Sequence, residues 1–347
     1  MSHRCPFLRH NPPMISSILT ALLVFLLNAS SFKDDPQPLS HDPVADSALL
    51  TPDDKAILTE VLRLQSDLGE VLWPGFGAAD IPIVSYDDQY EYLVGEETAP
   101  SFWTKVEGDE FEQRPYYRRV SSRPQSFAIR VDSRWAGSMS SLAYLNRRGP
   151  LRMIREFYIP LVLHEMFHAF QATEAPEHFH QARAVYAAES RYPAKEAAFI
   201  TAWDREGALL AEALGVTDRA ALTVKVREFL EARAGRRAQA GLTPDLVAFE
   251  RELEWLEGLA KYVEDRVSDL ATARRRDPRY ASYRLPYWRQ ADTFRLSKQL
   301  GRQDGDLRFY LSGMAQARLL DVLSPGWKRK IMHPGIYTED LLRAATE

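Results

Sequence analysis

The chain has 347 residues, 45% of them hydrophobic and 27% charged, with a formal net charge of −4. That balance is too apolar for a disordered chain and too polar for a protein of many membrane spans, and the length permits one large domain or two small ones with real cores. The acidic charge gives no footing for nucleic acid as a partner.

Residues 1–31 read as a secretory signal peptide: Arg4 and Arg9 precede an apolar run from Met14 to Leu27, and small residues follow at Asn28 to Ser31. The run has 14 residues, short of the 18 or more of a spanning helix, so export is the expectation, with an uncleaved anchor as the alternative. No stable membrane insertion of the mature chain is expected. Cys5, the single cysteine, lies within this segment, so the mature chain would carry neither thiol nor disulfide. Removing the segment takes the formal charge from −4 to about −6.

A linker rich in Pro, Asp and Ser is expected over 32–50. Helical periodicity begins at Thr51, whose hydroxyl, with Asp53 and Asp54 behind it, suits an N-cap. Strand candidates are Ile81 to Val84 and Ser126 to Ser133, the second followed by the small-residue stretch "WAGSMSS". The strands are few and not interleaved with helices, which argues against a doubly wound sheet. From residue 151 onward, helical spacing recurs near 151–174, 195–214, 218–239, 243–272 and 306–323, broken at "EAPEHF", "GVTD" and "GLTPD". The expected fold is therefore α+β and predominantly helical. Residues 51–347 form a single domain in this reading, with a mixed α/β part over 51–150 and a helical part over 151–347.

The chemistry concentrates in "LVLHEMFHAF", residues 161–170. His164 and His168 are four residues apart, so on a helix both imidazoles can reach one ion, and Glu165 stands beside them as a base. A metal there would acidify a water and polarise a carbonyl while the carboxylate takes the proton. The surrounding residues are apolar, and polar groups in a buried helix need partners. Pro160 either kinks this helix or starts it.

Two imidazoles leave a third ligand to be found. Glu174 has the metzincin spacing, but Gln171 stands where that family needs glycine. Glu189 follows His168 after 20 residues, close to a thermolysin-like interval, and Glu257 follows after 88. The stretch "WLEGLAKYVE", Trp255 to Glu264, resembles the glutamate-ligand helix of gluzincin metallopeptidases, whose E-G-x-A-x-Y-x-E pattern is matched at Glu257, Gly258, Ala260, Tyr262 and Glu264. The resemblance implies a zincin-like unit with zinc on His164, His168 and Glu257. It also implies Glu165 as catalytic base, and Gly258 as the small residue that brings the ligand helix against the motif helix. Glu189, and Glu206 before Gly207 in "REGALLAEAL", remain the alternatives for the third ligand. No G-A-M-E-N signature is present, and the 88-residue interval is far longer than in the aminopeptidases, which puts exopeptidase specificity in doubt.

The expectation is thus an exported zinc metallopeptidase acting on a peptide or protein substrate. A non-catalytic binding protein on a zincin scaffold, or a hydrolase of a non-peptide amide, is the alternative. Tyr310, Tyr262 and His333 are available as oxyanion donors, and the sequence does not choose among them. The strand at 126–133 is a candidate edge for pairing with an extended peptide, or an ordinary strand and turn. His178 and His180 read as exposed loop histidines, "EARAGRR" at 231–237 as a solvated helix face, and "YASYRLPYW" at 280–288 as a loop packed on the core.

Overall fold

The structure, a computed structural model, describes residues 48–122, 125–149 and 152–347. The expected signal segment and nearly all of the expected linker lie outside the described residues.

The first helix, α1 (Pro52–Leu72), begins as expected: Thr51 Oγ1 accepts the Asp54 N–H at 3.1 Å and Pro52 occupies the first turn, where its missing N–H costs nothing. Six strands follow: β1 (Ile83–Tyr86), β2 (Tyr90–Val94), β3 (Thr104–Lys105), β4 (Tyr117–Val120), β5 (Phe127–Val131) and β6 (Arg134–Ser140). They form one sheet in the order β3-β4-β2-β1-β6-β5, in which only β1 and β6 run parallel. Side chains alternate between its faces. Ile83, Tyr92, Val94 and Met139 join the main core, while Val84, Leu93, Tyr117 and Ala136 close with Trp103 and Val131 into a smaller cluster on the other side.

One expectation is corrected here. Strands are not few, because β2 and β4 carry Tyr, Glu and Arg at positions where the apolar pattern is weak. The stretch "WAGSMSS", to which the sequence assigns no element, supplies most of β6, the strand on which the motif helix lies. Small residues are needed there: a Cβ on Gly137 would stand 2.8 Å from the backbone N and Cα of Met166.

The remaining helices are α2 (Leu142–Arg148), α3 (Arg155–Glu174), α4 (Pro176–Ala184), α5 (Ala197–Leu214), α6 (Arg219–Gln239), α7 (Pro244–Leu253), α8 (Leu259–Ala273), α9 (Trp288–Lys298), α10 (Leu307–Leu323), α11 (Trp327–Lys330) and α12 (Thr338–Thr346). The fold is α+β and predominantly helical. One hydrophobic cluster extends from Leu50 to Leu342 and takes in α1, one face of the sheet and the helices behind it. No described helix is long and apolar enough to cross a membrane.

Helix α3 starts at Arg155, so Pro160 lies inside it rather than at its start. It withholds a single donor, the one owed to the Glu156 carbonyl, near the end of the helix where few bonds depend on it. Every residue from Phe157 to Ala172 is buried, so this helix has no solvent face. The break expected at "EAPEHF" narrows to Ala175, because Pro176 opens α4 instead of ending order. His178 is consequently fully buried on α4, stacked on Trp255 with ring centroids 3.9 Å apart, and only His180 is exposed. The helix expected over 243–272 is interrupted by a π-turn at Glu254–Gly258 between α7 and α8.

Candidate metal centre

Three elements meet at one point: α3 behind β6, the π-turn, and α10 packed across that turn. On α3, His164 and His168 project the same way one turn apart, with their Nε2 atoms 3.2 Å from each other. The π-turn brings Glu257 opposite them, its Oε2 3.3 Å from Nε2 of His168 and 3.8 Å from Nε2 of His164. All three residues are 96% or more buried. Two ligands each about 2.05 Å from a tetrahedral zinc are about 3.3 Å apart, so this triangle has the size of one face of such a coordination shell.

The outer nitrogens explain why these atoms converge. Nδ1 of His168 lies 3.0 Å from Oε1 of Gln171, and Nδ1 of His164 lies 3.3 Å from Oε2 of Glu264. The Gln171 oxygen suits a ring proton on Nδ1 of His168, which would leave that ring's Nε2 lone pair on the side of Glu257, whereas Nδ1 of His164 lies beside Glu264 without making a hydrogen bond. Oε2 of Glu257 is buried and has no hydrogen-bond partner. Two ring nitrogens and a carboxylate oxygen this close need positive charge among them, from a ring proton or a bound cation. With no ion bound, burial opposes a charged His164, but Glu257 and Glu264 outweigh it and push its pKa up to about 10, so a metal would take the place of a ring proton. Burial likewise opposes ionised Glu257, yet the two imidazoles hold it well below the usual carboxylate range. The residues present therefore fit a divalent ion.

Glu165, on the same helix, is 5% exposed, and its Oε2 also lacks a partner. Burial pushes its carboxyl up to about 8; His164 opposes the shift, and Glu257 and Glu264 add to it.

The alternatives for the third ligand are placed elsewhere. Glu189 is exposed in a 3-10 turn, Val185–Arg191, and Glu174 is exposed at the end of α3. Glu206 is fully buried but committed to arginines, 3.1 Å from Arg233 and 2.5 Å from Arg236. Those arginines correct the expectation of a solvated face over 231–237. Arg233 also pairs with Glu254 at 2.6 Å and Glu339 at 3.1 Å, and Arg236 and Arg237 share Glu250. Glu254 begins the π-turn, so this buried network holds the turn from behind.

Gly258 has a different role from the one the resemblance implied. A Cβ there would stand 2.5 Å from Cα of Gly313 on α10, not against the motif helix, and a Cβ on Gly313 would stand 2.5 Å from the Glu254 carbonyl oxygen. The glycine pair lets α10 cross the π-turn closely. That crossing stacks Tyr310 on His164, with centroids 5.6 Å apart and planes 11° from parallel. Of the three donors the sequence offered, Tyr310 is the one that touches the cluster. Tyr262 instead donates to Asp321, and no contact of His333 with the cluster is seen.

Neither Gln171 nor Glu264 had been given a role at the metal by the sequence, and Tyr310 was one of three candidate donors. Gln171 grips His168 through its oxygen and donates its amide to the carbonyls of Trp255 and Leu256, at 2.9 and 3.3 Å, tying α3 to the π-turn. Its spacing of three from His168 was the available signal.

Comparison of the chain with protein-family models, curated proteins and solved structures gave no match.

Proposed function

We propose that this chain is an exported zinc-dependent hydrolase of the zincin type that cleaves peptide bonds. The convergence of two imidazole Nε2 atoms and an unpartnered buried carboxylate oxygen on one point carries the reading. His164, His168 and Glu257 would hold the ion, and two nitrogens with one carboxylate favour zinc. Bound there, zinc supplies Lewis acidity to a water and to the scissile carbonyl. Glu165 takes the proton of the attacking water and returns it to the leaving amine. Burial raises its proton affinity above that of a free carboxylate, which favours its taking a proton. A buried carboxylate oxygen without a partner is costly, and a catalytic task accounts for its retention.

Peptides are favoured over other amides by the sheet. Among the described residues strand β5 has a single neighbour, β6, and its Phe127 ring lies 4.5 Å from that of His168. An extended chain pairing along that free edge would run past the histidines, with its backbone read by β5. Export belongs to the same proposal and rests on the pattern of residues 1–31.

The test is metal content by mass spectrometry on the purified chain, with turnover of a mixed fluorogenic peptide library. About one zinc per chain is expected in the parent, in Glu165→Gln and in Glu189→Ala, and none in Glu257→Ala. Glu165→Gln should lose turnover while keeping its zinc. A parent that takes up no zinc when supplied with it, or a Glu165→Gln variant as active as the parent, would overturn the proposal.

A further inference from the structure

One residue of the ligand-helix segment has no task in the metal reading. Lys261, on α8 one turn beyond Glu257, is fully buried, where a lysine is expensive to keep. Its Nζ lies 2.5 Å from Oε1 of Glu264, 3.2 Å from Oδ2 of Asp292 and 3.4 Å from Oδ1 of Asp265. Two of these three carboxylates have other cations. Asp292 is paired with Arg295 at 3.0 Å, and Asp265 is paired with Arg289 and lies 3.7 Å from Arg318. Glu264 differs. Among the described residues its ion-pair partners are Lys261, on one oxygen, and His164, on the other.

We infer that Lys261 is a positioning residue of the metal centre: by holding Oε1 of Glu264 it turns Oε2 toward Nδ1 of His164, which directs the Nε2 lone pair of that ring into the ligand triangle. The inference rests on the proposed metal site. The connection runs from Nζ through one carboxylate to the ring, so Lys261 acts on the ion without touching it. Carboxylates behind metal-binding histidines set ring orientation and basicity, and losing one typically costs about 10- to 100-fold in metal affinity. Among the described residues Lys261 is the one ammonium that fixes this carboxylate, so its loss should fall in the same range.

The experiment is a double-mutant cycle on zinc affinity, read by competition with a chromophoric chelator on the full chain. Lys261→Met and Glu264→Gln should each weaken zinc binding about 10- to 100-fold, and the double variant should bind no more weakly than the weaker single. Lys261→Arg, which keeps a cation beside Glu264, should return affinity to within a few-fold of the parent. Cobalt-loaded Lys261→Met should show a shifted visible absorption band, because the field of His164 on the ion changes. Circular dichroism and a cooperative melt establish folding. If Lys261→Met does not fold, Lys261→Gln is put through the same cycle.

Unchanged zinc affinity in the neutral variant would overturn the inference. So would a Lys261 effect that multiplies in full on top of Glu264→Gln, since that is the mark of general destabilisation. A parent chain that binds no zinc fails at the first titration. It would remove the metal reading itself, and the inference with it.

Discussion

Replacing Gly258 by alanine tests whether the crossing of α10 over the π-turn sets the position of Glu257. The new Cβ would stand 2.5 Å from Cα of Gly313 and 3.0 Å from the Phe309 carbonyl oxygen, whereas ordinary contact begins at 3.4 Å. Both obstacles are backbone, so no side chain can swing aside, and the turn or α10 must retreat by about 1 Å. Overpacking of this kind costs about 1–3 kcal/mol. The local consequence is larger than the global one. Metal–ligand distances tolerate about 0.2 Å, so a carboxylate moved by several times that leaves the shell. Zinc affinity should fall at least 10-fold, while the urea midpoint moves only as far as the overpacking cost requires. Gly235→Ala is the control: it lies exposed within α6, a Cβ there meets nothing within 4 Å, and it should gain about 0.5–1 kcal/mol from helix propensity with zinc binding untouched. Parental zinc affinity and stability in Gly258→Ala would refute the argument, because the glycine pair would then not be holding the turn in place.

Three further outcomes are expected. Arg233→Met strands Glu254 and leaves Glu206 and Glu339 one partner short, which should cost about 3–5 kcal/mol by denaturant titration; a loss under 1 kcal/mol would show that the network relaxes around the gap. Stability should decline as pH falls from the ordinary glutamate pKa near 4.5 toward 2. Burial opposes ionised Glu339, but Arg233 and Arg237 outweigh it and lower its folded pKa to about 2, so its contribution of about 3 kcal/mol is present above 4.5 and lost across that window. A melting temperature that is flat from pH 5 to pH 2.5 would contradict this. Gln171→Leu should weaken zinc binding about 10-fold by freeing His168 and loosening α3 from the π-turn; an unchanged chelator titration would rule out that role.

The centre was legible in the sequence where its chemistry is local. His164, Glu165 and His168 share one helix turn, and that spacing forces the two imidazoles together whatever surrounds them. Glu257 was reachable because a glutamate before a glycine in an apolar helix is a distinctive pattern, although nothing in the sequence specifies the π-turn that aims it. Lys261 and Glu264 were visible as residues but not as a device, since their roles depend on a ring supplied by a segment nearly a hundred positions earlier. The helices were largely readable because each buries a wide apolar stripe. Strand β6 was missed because its small residues, needed to let α3 approach, are the residues that mark turns elsewhere. His178 and Arg233 show the same limit: a polar side chain in a polar-looking stretch reads as solvated until a partner arrives from far along the chain.

The histidine pair and Glu257 are separated by 88 residues, and that interval contains α4, α5, α6 and α7. An ion held by both ends would therefore clasp a loop that contains about a quarter of the chain. The unfolded chain can offer only the histidine pair, a far weaker site than the complete triangle. If the proposed ion binds there, its capture would come late in assembly, and a chain exported unfolded would acquire it on the far side of the membrane, from whatever pool that compartment holds.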